Sequence, residues 1–333
     1  MTADAIKKTR LSAVKCFLLD MDGTFYLGDR LLEGSLSFLA KLAETNRSAL
    51  FVTNNSSKSA AMYMQKLERM GVPAAFRNVL TSGQVAGQYA LRHFPGKRAY
   101  VLGNTSLREE LAGMGLTLDG ACSEGDGYTK WNKLSEGDVR SEGNASSEGS
   151  ESPKGGSYPK GNKSSEGRKC SEKAENHDEA ENPEEAVTPG YVLIGYDTTL
   201  TYNKLTRVCD LVRQGLPYIA THPDLNCPTE IGYAPDIGAT TAFIEASTGR
   251  KPDVILGKPY AGIAEEALRR TGLPAEELAV VGDRLYTDIA TGVNFGMTSI
   301  LVLTGETGLE DLASSDIQPD MVFQRLSDMN EYL

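Results

Sequence analysis

Val14-Lys15-Cys16-Phe17-Leu18-Leu19-Asp20-Met21-Asp22-Gly23-Thr24 is the stretch on which the reading of this chain turns. Its apolar part is short, rich in branched and aromatic side chains and bounded by acidic and glycine residues. That suits a strand buried on both faces. Asp20 follows directly, and Asp22 lies two residues on, so an extended backbone points both carboxylates to one side. Gly23 permits a sharp turn that brings backbone amides close to a phosphate. Asp and Gly are also ordinary turn residues at a polar strand end, so this segment alone leaves both readings open.

Outward from it, similar apolar runs recur at Ala49 to Thr53, Ala99 to Leu102, Tyr191 to Ile194, Tyr218 to Thr221, Val254 to Leu256, Leu278 to Val281 and Ser299 to Leu303. Between them lie stretches with apolar spacing near the helical period: Leu36 to Ala43, Ala60 to Met70, Tyr202 to Gln214, Ala239 to Ser247, Ala261 to Thr271 and Thr287 to Val293. The alternation predicts an α/β fold with a mainly parallel sheet. One region breaks it. Residues 123–187 are mostly Ser, Glu, Gly, Lys, Asn and Pro, with repeated Ser-Glu-Gly triplets. Such a stretch cannot bury enough apolar area to offset its ordering entropy, and is predicted to be a disordered low-complexity insertion.

Composition narrows the function. With 333 residues, 40% hydrophobic and 24% charged, the chain can bury a substantial core. A formal charge of −11 and a pI near 5.0 argue against nucleic acid as a partner, because counterion release needs a basic footprint. A small phosphorylated metabolite needs only local positive charge and backbone N–H groups. Five scattered cysteines without a Cys-x-x-Cys pair predict reduced thiols in a cytoplasmic chain. The run from Leu11 to Leu19 is broken by Lys15, so neither a membrane span nor a signal segment is expected there.

Three further clusters carry candidate chemistry. Phe51-Val52-Thr53-Asn54-Asn55-Ser56-Ser57 ends a strand in a hydroxyl and two amides that can hold phosphate oxygens, or cap the helix beginning near Ser59. Ile255-Leu256-Gly257-Lys258-Pro259 runs a strand into a lysine just before a helix-starting proline; such a lysine could offset repulsion between an anionic nucleophile and an anionic substrate. Val280-Val281-Gly282-Asp283-Arg284-Leu285-Tyr286-Thr287-Asp288 places Asp283 at a strand end and Asp288 five residues on, hard oxygen ligands of the kind Mg²⁺ takes, or a helix-terminus acid.

In order, DMDGT, the strand ending in TNN, GKP and GDxxxTD resemble the four motifs of the haloacid dehalogenase superfamily. More narrowly, DMDGTFYLGD, FVTNNSS, ATHPD, GRKP with GKP, and VGDRLYTDI look like subfamily IIA, which holds NagD-like, p-nitrophenyl, pyridoxal phosphate and phosphoglycolate phosphatases. The resemblance implies a Rossmann-like, doubly wound parallel-sheet core, residues 1–82 and 252–333, with an α/β cap inserted at 83–251. It implies Asp20 as nucleophile, Asp22 as general acid and base, and Thr53 and Lys258 holding the phosphoryl group, with Asn54 and Asn55 shaping the pocket. Mg²⁺ would be held by the Asp20 carboxylate, the Asp22 backbone carbonyl and Asp283, with Asp288 one step further out. The cap segment Thr221-His222-Pro223-Asp224 would face the site, His222 standing where Asn is more usual. A homodimer through the cap would suit this branch.

Other readings use the same residues. A phospho-acceptor regulatory module would take a phosphoryl group without turnover, but needs no proton-transfer group at Asp22. A dehalogenase needs no acid two residues after the nucleophile. A phosphomutase would release an isomerised product in place of free phosphate.

Overall fold

A computed structural model describes residues 2–119, 188–229 and 232–333 of the chain; the insertion at 123–187 lies outside the described residues. In chain order the strands are β1 (Cys16–Leu19), β2 (Tyr26–Leu27), β3 (Arg30–Leu31), β4 (Ser48–Thr53), β5 (Val79–Thr81), β6 (Ala99–Leu102) and β7 (Tyr191–Ile194). There follow β8 (Tyr218–Ala220), β9 (Asn226–Thr229), β10 (Gly232–Pro235), β11 (Val254–Ile255), β12 (Leu278–Gly282), β13 (Thr298–Val302) and β14 (Met321–Phe323).

Six of them form one parallel sheet in the order β14-β13-β12-β1-β4-β5. β1 is central, with β4 on one side and β12 on the other, so the strand order reverses beside it. In open α/β sheets the crevice beyond the carboxyl ends at such a point is where ligands bind. Alternate residues of β1 serve the two faces. Phe17 and Leu19 pack with Phe38, Phe51, Val281 and Ile300 on one side, while Cys16 and Leu18 pack with Leu50, Val52 and Val280 on the other.

A second parallel sheet runs β11-β8-β7-β6, so the strands expected near Tyr100, Tyr191 and Tyr218 lie side by side in it. β9 and β10 form a separate antiparallel hairpin. One apolar cluster joins the two sheets: Leu18, Leu50 and Val52 of the first belong to it together with Val101, Leu193 and Ile219 of the second. Leu107 stands inside that seam with no exposed surface, and a Cβ added at Gly83, Gly103 or Gly195 would fall within 2.7 Å of its methyl groups.

Several elements differ from the sequence reading. Pro259 does not open its helix; Tyr260 is the N-cap and the helix runs Ala261–Thr271. The helix expected at Thr287 to Val293 starts earlier, as a wide π turn at Leu285–Ile289 that passes into Ala290–Asn294. Helices Ala3–Ala13, Ser82–His93 and Thr105–Gly113 were not anticipated. Ser59 does cap Ala60–Arg69, accepting the Met62 N–H at 3.3 Å, so Asn54 and Asn55 are left for other partners.

Candidate active site

The carboxyl ends of β1, β4 and β12 open into one cavity of about 340 Å³, lined by Asp20, Asp22, Thr53, Asn54, Asn55, Asp224, Lys258 and Asp283 among others. Asp20 continues the β1–β12 ladder one step past the strand, its N–H donating to Val281 O at 2.9 Å. The chain then turns sharply, with Gly23 at φ +88° in the left-handed region that favours glycine.

Lys258 ties the acidic groups together. Its Nζ lies 2.5 Å from Asp20 Oδ1 and 2.6 Å from Asp288 Oδ1, and also donates to Val52 O at 3.3 Å. Burial opposes the charge on this lysine, but Asp20 and Asp288 more than offset that and hold its ammonium above the ordinary lysine range. Its backbone is fixed by Asn54, whose Oδ1 accepts Lys258 N–H at 2.8 Å while its Nδ2 donates to Lys258 O at 3.0 Å and to Asp224 Oδ1 at 3.1 Å.

Asp20, Asp283 and Asp288 offer carboxylate oxygens that all lie within 4.8 Å of one another. Asp283 is held from several sides. Its Oδ2 accepts Glu306 N–H at 2.7 Å, and Thr24 Oγ1 donates to its Oδ1 at 3.4 Å. The backbone at Gly23 and Gly305 closes in, since a Cβ there would come within 2.5 and 1.9 Å of Asp283 Oδ2. A Cβ at Gly282 would come 2.1 Å from Asp288 Cγ. Burial, followed by the charges of Asp20 and Asp288, pushes the Asp283 carboxyl well above its usual range. Burial raises Asp288 too, and Lys258 offsets only part of it. Crowded carboxylates short of positive charge, in a glycine-walled cradle, fit a hard divalent cation.

Asp22 stands on the exposed side of the cavity. Partial loss of water around its carboxyl raises its pKa, Lys66 draws it down again, and Asp20 adds to the rise. Thr53 is buried, with its Oγ1 accepting Asn55 N–H at 3.2 Å. Asn55 Oδ1 accepts the Ser57 N–H at 2.9 Å and hydroxyl at 2.7 Å, which fixes the loop after β4.

His222 is not brought to the cavity. It is buried, with Nε2 3.1 Å from Asp236 Oδ1 and Nδ1 3.1 Å from Thr221 Oγ1, so neighbouring side chains occupy both ring nitrogens. Asp288 likewise sits behind the cavity wall, reaching it through Lys258. Asp224 does line the cavity. The sequence reading missed other lining residues. Thr304, Gly305 and Glu306 follow β13, and the one available signal was that this loop also leaves the carboxyl end of a strand. Arg284, 2.9 Å from Glu306 and 3.9 Å from Asp224, stands at an unspecified position within the GDxxxTD segment, and the lysines Lys58 and Lys66 carried no motif.

Relatives match nearly the whole chain. The Haloacid dehalogenase-like hydrolase family matches residues 17–117, and a HAD-hydrolase-like family matches residues 255–329. An acid sugar phosphatase of Staphylococcus aureus is 31% identical over 317 residues, 95% of this chain and 96% of that protein. The chain belongs to the haloacid dehalogenase-like hydrolases. Among solved structures, the 4-nitrophenylphosphatase from Thermotoga maritima is 38% identical with a TM-score of 0.73, covering 97% of this chain and 98% of that one. A glycerol phosphate phosphatase from Mycobacterium tuberculosis, crystallised with magnesium, is 26% identical with a TM-score of 0.69, covering 95% of this chain and 76% of that one. The reaction class of this hydrolase is that of phosphoric monoester hydrolysis. No described helix is long and apolar enough to cross a membrane.

Proposed function

We propose that this hydrolase is a Mg²⁺-dependent phosphatase of small phosphate monoesters that works through an aspartyl-phosphate on Asp20. The observation that carries the reading is the Lys258 ammonium, 2.5 Å from Asp20 and 2.6 Å from Asp288, beside the carboxylate of Asp283. One Asp20 oxygen attacks phosphorus and the ester oxygen–phosphorus bond breaks. The departing oxygen takes its proton from Asp22, whose raised pKa favours the protonated form that this step needs. Asp22, now ionised, accepts a proton from water as that water attacks the aspartyl-phosphate, releasing inorganic phosphate and restoring both aspartates.

Thr53 and Lys258 would hold the transferring phosphoryl group, and Asn54 holds Lys258 in place for that task. The Asp20 carboxylate, the Asp22 backbone carbonyl and Asp283 would hold Mg²⁺, which when bound supplies positive charge where nucleophile and substrate would otherwise repel each other. Asp288 is engaged at both oxygens, by Lys258 Nζ and by Arg284 N–H at 3.3 Å, which suits a residue that orients the others. The second sheet, with Asp224 beside Asn54, would act as a cap that selects the leaving group. We place the protein in the cytoplasm.

The test is a phosphate-release screen over a panel of monoesters with Mg²⁺, run on wild type and on Asp20→Asn. Release by the wild type alone supports the reading. Equal release by both rules out the covalent route, and an isomerised product in place of free phosphate makes the enzyme a mutase.

A further inference from the structure

Most charges around the cavity are matched. Lys258 is held by Asp20 and Asp288, Arg284 faces Glu306 at 2.9 Å and Asp224 at 3.9 Å, and Asp236 meets His222 at 3.1 Å. Lys58 and Lys66 are not matched in this way. Among the described residues Lys58 makes no ion pair, and Lys66 has only Asp29, 3.7 Å away on a side chain that is 96% exposed, besides the Tyr26 ring at 3.8 Å. An exposed partner of that kind contributes little.

Both lysines line the cavity that holds Asp20 and Asp22. Burial lowers the proton affinity of Lys66 most, Asp22 pulls it back up, and Lys58 lowers it to a lesser degree. Lys66 thus feels Lys58 across the cavity they share, and stands on the Asp22 side of it. If Asp22 protonates the departing oxygen, as proposed above, that is the side on which the leaving group lies. Lys66 also lines a second cavity of about 480 Å³ with Asp29, Arg30 and Arg69, the two arginines without an ion pair among the described residues. Positive side chains thus outnumber acidic ones around Lys66 in a chain whose net charge is −11.

We propose that the leaving group of the natural substrate carries a second negative charge, a carboxylate or a second phosphate, and that Lys58 and Lys66 receive it. A neutral leaving group would leave the partly buried Lys66 still opposed by Lys58. An anion between them removes that repulsion and gains charge-assisted hydrogen bonds. Asp224 and Asp236 in the same cavity wall disfavour an anion elsewhere, so the lysines also fix which way the leaving group points.

This rests on the phosphatase reading, and the experiment keeps the two apart. With Mg²⁺ present, kcat/KM is measured for hydroxyethyl phosphate, phosphoglycolate and ethylene glycol bisphosphate, on wild type, Lys58→Met and Lys66→Met. In the wild type at least one charged ester should be preferred over the neutral one by on the order of tenfold, and the arm that shows it tells carboxylate from phosphate. Either substitution should bring that ratio towards one. A wild-type ratio of one or less overturns the proposal, as does a ratio that both variants preserve while losing activity on all esters alike. Lys58 is exposed and makes no ion pair among the described residues, so Lys58→Met gives a reading even if Lys66→Met folds poorly. Absence of phosphate release from every ester, p-nitrophenyl phosphate included, would instead defeat the phosphatase reading itself.

Discussion

The side-chain amide of Asn54 grips the backbone of Lys258 at both polar ends, accepting its N–H at 2.8 Å and donating to its C=O at 3.0 Å. A lysine after a short strand is thereby fixed by a residue from a different strand, 204 positions away. Asn54→Asp keeps the oxygen that meets the N–H but turns a second oxygen towards Lys258 O and Asp224. We expect kcat on p-nitrophenyl phosphate to fall by about a hundredfold with the circular dichroism spectrum unchanged, because small misplacements of a catalytic group cost that much. Unchanged kcat would mean that Lys258 needs no such support.

Asp20→Asn removes the nucleophile at constant volume and should lower turnover on the order of a thousandfold or more without unfolding the chain. Asp22→Asn should lose about a hundredfold or more, and lose more on an alkyl phosphate than on p-nitrophenyl phosphate, since a poor leaving group needs the proton more. Equal losses on the two esters would remove the acid role from Asp22.

Lys258→Met leaves the buried Asp288 and the half-buried Asp20 without their shared cation. Breaking a buried pair in this way costs about 3–5 kcal/mol, so a clear drop in melting temperature should accompany the loss of activity. Inactive protein with wild-type stability would show that Lys258 serves the substrate alone.

The pH dependence follows from Asp283. Its carboxyl is raised in the folded chain by burial and by Asp20 and Asp288, so the folded form holds this proton more tightly than the unfolded form. The stability this contributes is complete below the ordinary carboxylate pKa and is lost as pH climbs through the raised value. Chelator-treated protein should therefore lose stability as pH rises from about 5 towards 8, and added Mg²⁺, competing with that proton, should raise the melting temperature more at the upper end. Activity should stop with chelator and return with Mg²⁺. A Mg²⁺ shift that shrinks as pH rises would contradict the assignment of Asp283 to the metal.

The central strands were legible because β1, β4 and β12 are buried on both faces and read as unbroken apolar runs ending in polar residues. β5 and β14, three residues each, went unmarked, although β8 of the same length was anticipated. Helix Ser82–His93 was hidden by Gly83 and Gly87, poor helix formers that packing demands, since a Cβ at Gly87 would fall 2.6 Å from Met114 Cε. In the site, Asp20, Thr53, Lys258 and Asp283 stand at or just past strand ends, where the local sequence marks them. His222 looked like a cavity residue from its neighbours in sequence, but its partners Asp236 and Ser82 come from distant segments that a local reading does not bring together.

The apolar seam that runs from β1 and β4 into β6, β7 and β8 ties the thermal fate of the two sheets together. Heating should give a single calorimetric transition, because neither sheet can shed its neighbour without wetting the same side chains. Leu107→Ala, outside the cavity lining, should cost about 3 kcal/mol and bring down the temperature at which catalysis fails along with that of the whole molecule. Thermal tolerance is thus set in part by methyl groups packed against glycine backbone, outside the lining of the cavity.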